Sequence, residues 1–149
     1  MKFISHRGNI NGPDPLTENT PDKIDFVISN GFDVEIDVWF INQDFYLGHD
    51  KPKILIDKSF LLDREDKLWV HCKNLDCLSK LKYWNINYFW HQQDDVALTS
   101  HHFLWAYPKP MSAYFWNMIC LDFSPNVDYN FYRSKYIHAL CCDYIENMV

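Results

Sequence analysis

Residues 34–41 read VEIDVWFI, and no other stretch constrains the fold as much. Successive side chains of a strand point to opposite faces. Val34, Ile36 and Val38 therefore share one face, and Glu35 and Asp37 the other. The apolar face asks for a core. The acidic face, in isolation, is most often a solvated strand face. Asn42-Gln43-Asp44 reads as a turn and Phe45-Tyr46-Leu47-Gly48-His49 as a returning strand. A hairpin about residue 43 pairs Ile41 with Phe45, Trp39 with Leu47 and Asp37 with His49. Directly opposed residues share a face, so Glu35, Asp37 and His49 are expected to converge.

The N-terminus supplies matching parts. Phe3 and Ile4 belong to a short apolar run that ends at Ser5-His6-Arg7-Gly8, which puts His6 at the C-terminal end of a strand. Residues 20–30 then read as a helix, with Thr20 as N-cap, Pro21 at the first helical position and an apolar stripe of Ile24, Val27 and Ile28. Gly31 closes it. A solvated strand face does not explain why a strand-end histidine precedes the acidic pair and a second histidine faces it. Two histidines, two carboxylates and an arginine are the parts needed to cleave a phosphodiester with a divalent metal.

Further along, Leu68 to Asn74 (LWVHCKN) is a strand in which Trp69, His71 and Lys73 alternate with Val70 and Cys72. His91, Asp94 and Asp95 follow an aromatic strand, Tyr88-Phe89-Trp90, where they fit either a polar loop or the lining of a substrate pocket, to which His91 is assigned. Strand candidates fall at 2–6, 34–41, 45–49, 68–72, 87–91, 103–107, 117–121 and 137–142. Helical patterns fall at 20–30 and 74–83, with a weaker one at 58–63. Pro108 and Pro110 mark a loop.

The succession His6-Arg7-Gly8, Glu18-Asn19-Thr20, a helix, Val34 to Val38 and a strand ending in His49-Asp50 resembles the glycerophosphodiester phosphodiesterase family. That family belongs to the phosphatidylinositol-phospholipase-C-like phosphodiesterases, which are (β/α) barrels. The resemblance is close over residues 2–50. It continues weakly at Leu68 to Asn74 and at Cys141-Cys142-Asp143-Tyr144, which is similar to the family's last-strand segment. It implies that His6 and His49 are general acid and base, that Glu35 and Asp37 are metal ligands, and that Arg7 contacts phosphate. It also implies that Glu18 and Asn19 flank the site and that Lys73 reaches it. The nucleophile in that family is often a neighbouring hydroxyl of the substrate itself. The chain departs from the pattern at His71, which stands where the family carries a third metal-binding carboxylate. The implied cofactor is a divalent metal, Mg, Ca or Mn, and an imidazole ligand shifts the preference towards Mn or Zn.

Length bears on the architecture. A full eight-unit barrel takes about 250 residues, about 200 at the lower end, and this chain has 149. The expectation is one phosphodiesterase-like domain over 1–149, folded as a reduced or irregular TIM-type (β/α) barrel. Strand edges left exposed by missing helices need cover, which the aromatic content (17%, six Trp) or a homodimer can supply. The formal net charge of −6 leaves no basic footprint for nucleic acid. No run approaches the ~18 apolar residues of a membrane-spanning helix. The start MKFISHRG lacks a secretion signal's apolar region. Five cysteines without framework spacing fit reduced thiols. The expected setting is the cytoplasm and the expected partner a small-molecule phosphodiester. The alternatives are a degenerate, non-catalytic phosphate- or metal-binding module, or a structural protein that associates through its aromatics.

Overall fold

The computed structural model describes residues 1–108 and 111–146; Pro110 lies outside them. Ten strands form one sheet: β1 (Lys2–His6), β2 (Asp33–Ile41), β3 (Asp44–Leu47), β4 (Ile54–Ile56), β5 (Leu68–Cys72), β6 (Asn87–Phe89), β7 (Val96–Leu98), β8 (Leu104–Ala106), β9 (Met118–Leu121) and β10 (Ala139–Cys142). Four helices accompany them: α1 (Pro21–Ser29), α2 (Lys58–Leu62), α3 (Leu75–Leu81) and α4 (Tyr129–Ser134). Seven strands run parallel in the spatial order β6-β5-β2-β1-β10-β9-β8. β7 adds antiparallel to β8, and the β3–β4 hairpin continues antiparallel from the C-terminal half of β2.

The sheet curls as a mixed half-barrel, not as the TIM-type barrel expected from the sequence. Strands and helices do not alternate. Parallel neighbours need a crossover of a dozen or more residues, usually a helix, whereas antiparallel ones need only a tight turn. Between β6 and β8 the chain forms no helix; it folds back as β7, pairing Val96 with Ala106 and Leu98 with Leu104. The segment from β8 to β9 carries Pro108 and forms no helix among its described residues. α2 and the β3–β4 hairpin together replace the crossover between β2 and β5.

Period-two alternation divides the core into two faces. Inside the curl lie Ile4, Trp69, Phe89, Trp105, Ile119 and Cys141. Outside it, Val34, Ile36, Val38, Val70 and Leu140 pack with Ile24 and Val27 of α1 and Cys77 and Leu81 of α3. α1 forms as its sequence indicates. Pro21 opens it, and Gly31 at φ 87° ends it, with the Gly31 N–H donating to Ile28 O (2.9 Å) and the Phe32 N–H to Val27 O (3.3 Å), the paired bonds of a left-handed helix end. α3 is capped by Asn74, whose Oδ1 accepts from Cys77 N. Among the described residues no helix is long and apolar enough to cross a membrane.

One register differs from expectation. β2 and β3 pair Val38 with Leu47, Trp39 with Tyr46, Phe40 with Phe45 and Ile41 with Asp44, one residue away from the pairing about residue 43. Asn42 and Gln43 both have positive φ, 52° and 73°. A two-residue loop of this kind matches the twist of a hairpin, so Asp44 joins the strand instead of the turn.

Candidate active site

The parallel strands deliver their C-terminal ends to one side of the sheet, where a cavity of about 350 Å³ opens. His6, Glu35, His71, Phe89 and Leu121 reach it from strands; Arg7, His49, Lys73 and His91 reach it from residues just beyond strand ends. His6, His49, Glu35, Asp37, Arg7 and Lys73 are brought together as expected.

Glu35 and Asp37 sit on the inner face of β2, both buried. Pairing of β2 with β5 sets Asp37 beside His71. His71 Nδ1 lies 3.0 Å from Asp37 Oδ1 and 3.9 Å from Glu35 Oε1. The hairpin's register error does not lose His49. Gly48 leaves the sheet at φ 145°, with its N–H donating to Asp37 O (3.1 Å). The chain then swings His49 Nδ1 to 3.1 Å from Asp37 Oδ2. Lys73 Nζ approaches Asp37 Oδ1 at 3.3 Å. Asn19 grips the same residue twice: its Nδ2 donates to Asp37 Oδ2, and its Oδ1 accepts from Asp37 N, both at 2.9 Å.

Arg7 takes a left-handed φ of 55° directly after β1. Its backbone N–H donates to Glu35 O (2.9 Å), and its guanidinium reaches Asp37 Oδ2 (3.2 Å), Glu18 Oε1 (3.3 Å) and His49 Nε2 (3.1 Å). Glu18 thus holds the arginine without lining the cavity. His91 lines the cavity, with its ring stacked on His71 at 4.4 Å and bonded to the Tyr107 hydroxyl. Asp94 and Asp95, expected beside it, do not line the cavity.

Charge is distributed unevenly. Burial, reinforced by the charge of Asp37, raises the Glu35 carboxyl above its usual range. Burial acts the same way on Asp37, but the close approach of His49 and His71 and the charge of Lys73 outweigh it and hold this carboxyl well below its usual range. Burial opposes a charge on His6, yet its bond to Asp143 and the charge of Glu35 raise its imidazole. Burial and the nearby His71 and Lys73 push His91 down to about 4.

Glu35, Asp37 and His71 fit a metal. They offer ligand atoms all within 4.8 Å of one another, and all three residues are buried. Asp37 Oδ1 is buried without an aligned hydrogen bond, although two nitrogens lie near it. Two carboxylate oxygens and an imidazole suit a borderline divalent ion.

Three groups emerge only in the structure. Asp143 follows β10 and accepts from His6 Nδ1 (2.8 Å) and from Asn9 Nδ2 (2.9 Å); the sequence marks it only as part of the 141–144 segment similar to the family's last strand and gives it no role in the site. Trp105 and Tyr107 line the cavity from β8 and the residue just past it, and their spacing of two was the available signal. Phe123 packs its ring 4.4 Å from His6, for which the sequence holds no cue. No protein-family model matches this chain, and no curated protein matches it.

Proposed function

We propose that this chain is a metal-dependent phosphodiester hydrolase acting on a small glycerophosphodiester-like molecule. One observation carries the reading: His6 and His49 each contact a different carboxylate of the Glu35–Asp37–His71 group, at 3.9 Å and 3.1 Å, on one cavity. The resemblance of residues 2–50 to glycerophosphodiester phosphodiesterases supports it.

Glu35, Asp37 and His71 would hold a divalent ion, which when bound would supply positive charge for the phosphoryl oxygens. Arg7 and Lys73, both partly buried, add to that charge. Arg7 is kept in place by Glu18, Lys73 by Asp37. One histidine takes the proton from the attacking hydroxyl as its oxygen bonds to phosphorus. The other gives a proton to the departing oxygen as the original P–O bond breaks. Asn19 fixes the Asp37 carboxylate, and Asp143 with Asn9 fixes the ring of His6, so both carry little reorganisation into the reaction.

A specific feature favours a second reading, a non-catalytic phosphate-binding module. Arg7, Lys73, His49 and His71 all lie within 3.3 Å of Asp37, so this carboxylate is already countered without an ion. Turnover of glycerophosphocholine and bis-p-nitrophenyl phosphate, with Mn, Zn, Mg and Ca in turn, separates the two. The hydrolase reading expects metal-dependent turnover, lost at least ~100-fold in each of His6→Ala and His49→Ala. Phosphate binding without turnover under any of these metals selects the module. The setting proposed for either is the reducing cytoplasm, in keeping with five buried free thiols; a homodimer that covers the sheet edges belongs to the same proposal.

A further inference from the structure

We infer that, of the two groups carried by the bound phosphodiester, the one other than its glycerol-like part is compact and apolar, with an aryl group the best fit, and is not a polyhydroxylated headgroup. The inference rests on the phosphoryl-site reading above and adds the chemistry of the group beside it. The cavity has two unlike halves. One half is the charged cluster of Arg7, Glu35, His49, His71 and Lys73 with His6 at its border. The other is a wall of Phe89, Trp105, Leu121 and Phe123, with His91, Gln92 and Tyr107 completing the lining.

This wall is the upper surface of the core enclosed by the curled sheet. Phe89, Trp105 and Leu121 are members of that core, between 2% and 4% exposed, and still line the cavity. Phe89 and Trp105 stack at 4.5 Å, and His71 lies flat against Phe89 at 5.1 Å with rings 7° apart. Phe123 completes the wall next to His6. The apolar surface therefore begins directly beside the candidate metal ligand His71 and beside His6.

Hydroxyl groups would find few partners on this wall. The Tyr107 hydroxyl is already bonded to His91. Burying a hydroxyl without a hydrogen bond is unfavourable, whereas burying a ring against these side chains is favoured in proportion to its area. Size points the same way. Ligand pockets run from about 300 to about 1,000 Å³, and about 350 Å³ is near the lower limit. That leaves room for one small substituent and none for a long acyl chain.

The test compares ligands that share a phosphoryl head and differ in substituent: phenylphosphonate, methylphosphonate and glycerol 3-phosphate. Calorimetry on the full chain is expected to give phenylphosphonate at least ~10-fold tighter binding than either of the others, the scale on which apolar pockets discriminate. Phe123→Ala is expected to reduce that preference several-fold, read as the ratio of phenylphosphonate to methylphosphonate affinity. Trp105→Leu offers a second variant with the cavity wall kept apolar. Methylphosphonate binding as tightly as phenylphosphonate, or a preference untouched in both folded variants, overturns the inference. The two readings fail separately. Absence of turnover on any diester with the phenyl preference intact removes the hydrolase and leaves this inference standing. Turnover without a phenyl preference does the reverse.

Discussion

His6 owes its position to a carboxylate 137 residues further along the chain. Asp143 holds Nδ1, which leaves Nε2 turned towards Glu35. Asp143→Asn keeps the shape but removes the charge, so we expect about a tenfold or greater loss in turnover, within the range ascribed to general acid–base catalysis, with KM little changed. Under the proposed function, steady-state kinetics with divalent metal added reads the split; a change confined to KM would remove Asp143 from this role. His71 is the second test at this scale. A neutral imidazole adds a ligand without negative charge, so Mn or Zn is expected to bind better than Ca, and His71→Glu to move the preference towards Mg or Ca. Calorimetric titration of both proteins with each ion decides it, and an unchanged ion order in the variant would rule out the ligand role. His71 and Lys73 were legible because strand alternation alone puts them on one face. Asp143 was not, because its meaning depends on a strand pairing, β1 with β10, that spans nearly the whole chain.

The β2–β3 hairpin shows how an element can be read correctly and its register misread. The alternation in β2 identified the acidic face. The turn was read as three residues because Asn42, Gln43 and Asp44 are all turn-formers, yet a loop with both φ positive uses two. His49 still reaches Asp37 because Gly48 bends the chain where no side chain fits: a Cβ there would meet Lys51 O at 2.2 Å. We expect Gly48→Ala to cost about 1–3 kcal/mol, the usual range for a backbone forced into a disfavoured region, and to weaken site chemistry with it. Gln43→Gly should act in the opposite direction. Its left-handed φ of 73° costs a side-chain-bearing residue about 1 kcal/mol, and a glycine relieves it. Urea unfolding of the two variants measures both signs. A stabilised Gly48→Ala protein would mean that the bend is not required.

At the scale of the whole molecule, the end of the sheet opposite the cavity carries a pH dependence of its own. His138 packs between the rings of Trp69 and Phe103. Burial and the charges of Lys2 and the N-terminus lower its pKa from 6.5, against the pull of Asp33. The unfolded chain therefore binds a proton more readily than the folded one. The contribution to stability is complete above pH 6.5 and declines as pH falls below it towards the folded-state value. We expect the difference between urea midpoints at about pH 8 and about pH 5 to narrow in His138→Phe relative to the parent chain, other titrating groups being common to both; an unchanged difference would discount the histidine. The local features were decided by sequence: α1 with its proline start and glycine end, the acidic face of β2, and histidines at strand ends. Each follows from covalent geometry and the alternation of side chains over a few residues. The curl of the sheet was not. Whether ten strands close, open or fold back depends on what fills each crossover, and β7 returning antiparallel onto β8 is decided by pairing across the sheet. The same holds for the cavity. Arg7, Glu35 and His49 all fall within the first 50 residues, but the wall of Phe89, Trp105, Leu121 and Phe123 comes from β6, β8, β9 and the segment just past β9 and exists only when the sheet wraps them around one interior. Short-range patterning determined which side chains can do chemistry; tertiary packing decided what stands beside them.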